Sequence, residues 1–282
     1  MCPKIPSSAA PEPDQVQELF DSISEHYDAF NRLASLGTHQ FWRRRLLTRL
    51  YAEVRSGTIV DIGTGTGDLI FDSVKFLGQS CGSYRFVGLD ISAEMLKVAR
   101  RKQSSLALAN SAVESSAFTG STLASVPIAN VPVSGVPLAS IPIASVSIVW
   151  SQADVSSLSF PDASIDAFIS AFVLRNIKKI IYNTLQEMYR TLKPGGQIYL
   201  LDMVVPENPI LRFLHGIYLR TVLPTVGRIV LGSSWPKGYL RQTIENFGNA
   251  AQFVTVLEQA GFKAVRSEKI LGGIAVLFSA KK

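Results

Sequence analysis

The stretch Val60-Asp-Ile-Gly-Thr-Gly-Thr-Gly-Asp68 decides the fold. Branched apolar residues from Gly57 to Ile62 favour an extended chain. Three alternate glycines, Gly63, Gly65 and Gly67, then turn it into a helical pattern. Such a turn lets the backbone approach a ligand closely, and the helix N-terminus offers unpaired N–H groups and a positive dipole to an anion. Working outward, Tyr84-Arg-Phe-Val-Gly-Leu-Asp90 reads as a second strand, 147–152 as a third, 165–172 as a fourth and 197–202 as a fifth. Between the last two, Ile180, Ile181, Leu185, Met188 and Leu192 share one face of a helix expected over 177–192, which Pro194-Gly-Gly stops. A final pair, 264–270 and 273–279, is spaced as a hairpin, and the first sixty residues read as helices after a loose lead-in. Strands alternating with helices predict an α/β protein with a Rossmann-like doubly wound sheet, mostly parallel with an antiparallel C-terminal strand.

The 282 residues are expected to form a flexible N-terminus (1–13) and a single domain (14–282) that begins with a helical cap (about 14–55). Charged residues make up only 18% of the chain, against about 25% in an average soluble protein. With 47% apolar residues, this excludes a disordered, charge-solvated chain. Cys2 and Cys81 form no CxxC, so neither a disulfide scaffold nor a metal site is expected, and a reducing compartment fits. No apolar signal core follows Met1, which places the expected location in the cytoplasm. Residues 115–153 carry no charge, but Pro127, Pro132, Pro137 and Pro142 recur every fifth residue and each removes a backbone donor that a helix in lipid needs. A low-complexity pentapeptide insertion over about 104–145 is expected, inert in one reading and a partner-binding or membrane-touching loop in the other.

The glycine spacing separates two kinds of ligand. A dinucleotide fingerprint needs glycine at the sixth place of G-x-G-x-x-G, and counting from Gly63 that place is Asp68. A carboxylate there repels a pyrophosphate but suits an ammonium group, such as the one on the methionine tail of S-adenosylmethionine. Asp90 ends the second strand, where an acid accepts hydrogen bonds from ribose hydroxyls. Asp154 and Val155 follow the third, where a carboxylate and a backbone N–H suit an adenine edge. The bland alternative makes the glycines a tight turn and Asp61, Asp68, Asp90 and Asp154 solvated loop acids.

With these residues in place, the chain resembles the class I S-adenosylmethionine-dependent methyltransferases, and more narrowly the family that C-methylates the ring in ubiquinone and menaquinone biosynthesis. The resemblance rests on Phe20-Asp-Ser-Ile-Ser-Glu-His-Tyr-Asp-Ala-Phe-Asn31, Gly37-Thr-His-Gln-Phe-Trp42, Phe172-Val-Leu-Arg-Asn176, Tyr189-Arg-Thr-Leu-Lys-Pro-Gly-Gly196 and Val222-Leu-Pro-Thr-Val-Gly227. It implies that Thr66, Asp90, Asp154 and Val155 bind S-adenosylmethionine as cosubstrate and that a prenylated quinol is the acceptor. Three positions depart from the family pattern: Ala171 replaces a serine, Val173 a glycine and Phe278 a histidine.

A ring carbon becomes nucleophilic when a neighbouring hydroxyl is deprotonated, and a donor beside that oxygen stabilises the growing charge. Arg175 and Asn176, just past the fourth strand, offer that combination; the alternative is a helix-entry arginine with Asn176 as N-cap. A base is sought in His39, Tyr27 or an ordered water. The apolar stretch 208–232, with Arg212, His215, Arg220 and Arg228 interspersed, reads as a cover over a greasy substrate, set either on the inner face of a membrane or in solvent. Further partner expectations are a second copy of the chain and no nucleic acid, although the formal charge is +6, because the cations are scattered. Another small-molecule or RNA methyltransferase, or a non-catalytic fold whose repeat recruits a partner, are the competing readings.

Overall fold

The computed structural model describes residues 12–78, 82–117, 146–236 and 238–282. Nearly all of the 1–13 lead-in, both cysteines and the pentapeptide repeat lie outside them. Strands β1 (Gly57–Ile62), β2 (Tyr84–Asp90), β3 (Val146–Gln152), β4 (Ile165–Ala171), β5 (Leu192–Met203), β6 (Lys263–Ile270) and β7 (Ala275–Lys281) form a sheet in the order β3-β2-β1-β4-β5-β7-β6. The first five run parallel, as the alternation of patterns predicts, and the expected antiparallel C-terminal strand is β7, which lies between β5 and β6. The order reverses at β1, which has β2 on one side and β4 on the other, and doubly wound sheets open their ligand crevice at such a point.

Around the sheet lie α1 (Pro13–Ile23), α2 (Tyr27–Ala34), α3 (Thr38–Glu53), α4 (Asp68–Leu77), α5 (Ala93–Ala117), α6 (Ile181–Thr191), α7 (Pro209–Arg220), α8 (Val222–Leu231), α9 (Tyr239–Phe247) and α10 (Ala250–Gln259). Alternation along β1 sends Val60 and Ile62 to one face and Ile59 to the other. The first face packs Phe168, Ile198 and Phe278 under Leu185 and Met188 of α6 and Phe253 and Leu257 of α10. The second packs Phe86 and Tyr199 under Leu46, Leu47 and Leu50 of α3 and Ile70 of α4. Each of these fully buried leucines contributes about 1.5–3 kcal/mol relative to an exposed one. A third cluster joins Ile23 and Phe30 of the N-terminal helices to Leu219, Leu223, Trp235 and Ile244, so the helical cap and the α7–α9 region pack together as one layer.

Three local expectations shift. Helix α6 begins at Ile181 rather than 177, because 173–180 is spent on turns (Asn176 N–H to the Val173 carbonyl at 2.8 Å, Ile180 N–H to Ile177 at 2.9 Å). Asn176 therefore does not cap it. Strand β5 starts at Leu192, five residues early, and absorbs Pro194-Gly-Gly through a register shift against β4. Helix α5 continues to Ala117, so residues 104–117 of the expected insertion are helical. Phe278, where the family pattern has a histidine, is wholly buried with its ring 4.8 Å from Phe253, a packing position. No helix among the described residues is long and apolar enough to cross a membrane.

Candidate active site

The C-terminal ends of β1, β2 and β4 and the turn after β3 open into one crevice lined by Asp61, Gly63, Gly65, Thr66, Asp68, Asp90, Asp154 and Val155. Sequence reasoning named all eight. Gly67, the ninth residue assigned to cofactor binding, does not line the crevice: with φ +82° it caps α4, and a Cβ there would stand 2.5 Å from the Trp150 ring. Its smallness seats α4 against β3. Gly63 takes φ +64°, and a Cβ would come within 2.6 Å of both methyls of Val173, so this turn admits only glycine.

Two acids at the crevice floor are held by the loop itself. Asp90 accepts from the Gly65 N–H at 2.7 Å and the Ser92 N–H at 2.9 Å, one bond to each oxygen. A lone pair on each oxygen remains for a ligand. Asp61 accepts from the Thr64 hydroxyl at 2.7 Å. Burial pushes Asp61 up to about 7 and Asp90 up to about 6, and their mutual repulsion adds to the shift at Asp61. Neither has an ion-pair partner among the described residues. Asp68 differs: burial works against its charge, but Lys102 at 2.7 Å and Arg43 at 3.3 Å outweigh it and hold its pKa below the usual range. Asp154 is exposed and uses one oxygen to accept from the N–H and hydroxyl of Ser156.

The helical cap is strapped over this crevice. Asp28 accepts from the Thr66 hydroxyl at 2.6 Å and pairs with Lys102; Asp21 accepts from Ser92 at 2.5 Å; Glu25 pairs with Arg101 at 2.6 Å; Glu12 pairs with Lys179. The Thr66 hydroxyl thus faces the cap in this state. Tyr27 lies against Gly65 on the crevice wall, and burial raises its pKa, so at neutral pH the phenol donates a hydrogen bond rather than accepting a proton.

Asn176 lines the crevice, whereas Arg175 and His39 do not: both line a second, apolar cavity of about 350 Å³. Its walls are Phe30, Trp42, Leu211, Leu214, Leu219, Leu223 and Ile274 with His215 and Tyr218 of α7. Asn31 and Phe172 belong to both compartments and form the wall between them. Phe172 holds φ +67°, a conformation that costs an aromatic residue about 1–3 kcal/mol and that concentrates at functional sites. Its N–H donates to the Leu201 carbonyl at 2.7 Å and its ring tilts against Trp42, which together fix the wall.

The Arg175 guanidinium, expected free to meet substrate, is instead paired with Asp202, a wholly buried acid at the end of β5: Nη1 to Oδ1 is 2.5 Å, and the Arg175 backbone N–H donates to Oδ2 at 3.1 Å. Its Nε–H finds no partner among the described residues. Trp42 Nε1 and His215 Nε2, on residues that line the same cavity, are likewise buried and unpartnered among the described residues. Leaving such a group unsatisfied costs about 1–3 kcal/mol. His39 is buried with Nδ1 2.5 Å from the Ser35 hydroxyl, and burial, aided by Arg43, lowers its pKa. Sequence reasoning missed Asp202, Tyr239, whose hydroxyl donates to Asn176 Oδ1 at 3.2 Å, and any site role for Trp42; His215 was named only within the stretch 208–232 read as a cover over a greasy substrate. Asp202 carried a signal, as an acid closing a predicted strand; the others sit on helices whose packing only the fold reveals.

The crevice fits S-adenosylmethionine on its own chemistry. Buried carboxylates without a cation partner favour a positively charged ligand, and Asp90 retains acceptor capacity for a diol. Comparisons with known proteins agree. The sequence model of the ubiE/COQ5 methyltransferase family matches residues 9–123 and 140–282, omitting the heart of the pentapeptide repeat. Demethylmenaquinone methyltransferase of Protochlamydia amoebophila is 29% identical over 96% of each chain. The mitochondrial 2-methoxy-6-polyprenyl-1,4-benzoquinol methylase of Oryza sativa is 27% identical over 95% of this chain and 83% of its own. An S-adenosyl-L-methionine-dependent methyltransferase structure from Methanococcus maripaludis, at 21% identity, superposes with a TM-score of 0.55 over 93% of this chain and 94% of its own, which shows the fold. The chain belongs to the ubiE/COQ5 methyltransferase family.

Proposed function

We propose that the protein transfers a methyl group from S-adenosylmethionine to a ring carbon of a demethylated prenyl 1,4-quinol, with a naphthoquinol as the first candidate and a benzoquinol as the second. The observation that carries this reading is the shared wall: a polar, acid-floored crevice and an apolar cavity meet at Asn31 and Phe172. Consecutive residues Arg175 and Asn176 serve one compartment each. The names of the two relatives support naphthoquinone and benzoquinol rings respectively.

When bound, S-adenosylmethionine supplies an electrophilic methyl on a sulfonium. Asp90, the glycine loop and Asp154–Val155 are assigned to hold it, and Asp61 and Asp68 to favour its positive charge. The new bond joins the methyl to the ring carbon while the sulfur keeps the pair from the broken bond; the carbon-bound proton then leaves to restore the aromatic ring, so one proton is released overall. Arg175 is assigned to stabilise a ring oxygen as negative charge grows there. Asp202 fixes the guanidinium so that this cation needs no reorganisation. Phe172 and Trp42 exclude water from between the reactants. His39, neutral because its pKa is lowered, remains the candidate proton acceptor, and Tyr27 serves as a donor.

Leu36, Leu214 and Leu271 line the cavity and are also exposed, at 86%, 54% and 49%. Ile210, Phe213 and Ile217 extend that apolar rim along α7. A solvated face, the alternative considered for 208–232, would be polar. The rim supports exit of the prenyl tail toward a membrane surface, with Arg212, Arg220 and Arg228 exposed on the same two helices. The test is incubation of purified protein with S-adenosylmethionine and short-prenyl demethylated naphthoquinol or benzoquinol kept reduced. One ring should gain a single methyl by mass; binding of S-adenosylmethionine without methylation of either ring overturns the reading.

A further inference from the structure

The methionine tail of S-adenosylmethionine ends in a carboxylate as well as an ammonium, and the acids of the crevice suit only the second. The groups that would ordinarily meet an anion at a glycine loop are taken. The N–H groups of Thr64, Gly65 and Gly67 donate to the Leu89 carbonyl at 2.8 Å, to Asp90 at 2.7 Å and to the Thr64 carbonyl at 2.9 Å. The Thr66 hydroxyl donates to Asp28, and Ala171 at the end of β4 has no polar side chain. Among the described residues that line the crevice only Arg43 and Lys179 are cationic, and Lys179 is paired with Glu12 ahead of α1.

Arg43 reaches the crevice from α3, and α4 holds its guanidinium at two points: Nε–H donates to Asp72 at 2.7 Å, and Nη1 lies 3.3 Å from Asp68. Nη2 carries two further N–H groups and has no partner among the described residues. Unlike Arg175 Nε, it is not one of the nitrogens that are both buried and unpartnered. Arg43 and Asp68 therefore set a cation beside an anion where the glycine loop enters α4, as an amino acid sets an ammonium beside a carboxylate on one carbon. We propose that Arg43 binds the carboxylate of the methionine tail, donating from Nη2, next to the ammonium favoured by Asp68. The inference rests on the S-adenosylmethionine reading of the crevice and deepens it, since neither the glycine motif nor the named relatives assign Arg43 any role.

The test is calorimetric binding of S-adenosylhomocysteine, which keeps the whole amino-acid tail, and of its decarboxylated analogue, which keeps the ammonium alone. Wild type should bind the first about tenfold or more tightly than the second. Arg43→Gln should weaken S-adenosylhomocysteine by about tenfold and leave the analogue within about twofold, so that the preference for the carboxylate is lost. Arg43→Lys, which keeps the charge but not the fork, should fall between the two and carries the comparison where Arg43→Gln does not fold. The melting temperature of each variant reports folding, and the ratio of the two ligand affinities is a readout that loss of the Asp68 and Asp72 ion pairs would not move selectively, because both ligands meet the same loop. Equal weakening of both ligands in Arg43→Gln, a preference undiminished in either variant, or no preference in wild type overturns the assignment of Arg43 while leaving the S-adenosylmethionine reading standing. Failure of wild type to bind S-adenosylhomocysteine overturns that reading and this inference with it.

Discussion

The cofactor crevice and the apolar cavity share a wall but are built on opposite plans. The crevice is backbone chemistry on strand ends: Gly63 and Gly65 shape it, and loop N–H groups satisfy Asp90 before any ligand arrives. The cavity is side-chain chemistry on helices: α2, α3 and α7 supply its walls, and Arg175, Trp42 and His215 each carry a nitrogen with no partner among the described residues. A preorganised polar site binds a fixed, charged ligand, whereas a greasy site with a few unsatisfied groups orients a flexible one. Under the proposed function the two plans divide the work, affinity for S-adenosylmethionine on one side and turnover of the acceptor on the other.

The largest effect should come from the cavity side. Removing Arg175 alone strands the buried Asp202 carboxylate, which typically costs about 3–5 kcal/mol of stability. The informative variant is therefore Arg175→Ala with Asp202→Asn, compared with Asp202→Asn alone. Turnover of a demethylated quinol should fall about 10²–10³-fold, while calorimetric affinity for S-adenosylmethionine stays within about twofold. Equal losses in both would erase the division between the compartments.

On the crevice side, Asp90→Ala should weaken S-adenosylmethionine binding about tenfold or more, since charge-assisted hydrogen bonds contribute roughly 1.5–3 kcal/mol each. Unchanged affinity would remove Asp90 from the site.

This division also explains what could be read in advance. The alternation of strands and helices, the mostly parallel sheet with its antiparallel C-terminal strand, and eight crevice residues were legible because strand ends and glycine turns act through local sequence: a period of two, a φ sign, an acid at a fixed place. The cavity was not. The stretch 208–232 was read as a cover over a greasy substrate, but that His215 of α7 and Trp42 of α3 line one cavity emerges only from the fold, because nothing local to α3 says that its inner face borders a cavity rather than a core. Arg175 was found, but its partner Asp202, 27 residues away, turned an expected free cation into a fixed ion pair. Near residue 177 the apolar period continued through turns that the chain needs to deliver Asn176 to the crevice.

A smaller, pH-dependent effect should separate the two regions again. Asp61 and Asp90 have folded pKa values, about 7 and about 6, above the 3.8 of an unperturbed aspartate. Raised values mean that the stability they contribute is full below about 4 and is lost as pH rises through 6 and 7. A cationic ligand favours the ionised forms, so the order inverts for binding: affinity for S-adenosylmethionine should rise about five- to tenfold between pH 5.5 and 7.5 with proton release. Calorimetry in buffers of different ionisation enthalpy measures that release. Asp61→Asn should flatten the profile, and an unchanged slope would contradict the assigned source.

The smallest effect is expected outside both compartments. Deleting 119–144 should leave affinity for S-adenosylmethionine within about twofold, because loop-closure entropy changes slowly with length and the family match itself omits 124–139. A deletion variant that is folded by circular dichroism yet no longer binds would make the repeat part of the site.

The two compartments have a purpose together only if the methyl crosses the wall at Phe172 onto carbon. Carbon-13 NMR of the product formed from S-adenosylmethionine labelled at its methyl tests this directly. The account predicts a labelled methyl bonded to a ring carbon of the reduced substrate; a labelled methoxy group on either ring oxygen would contradict it.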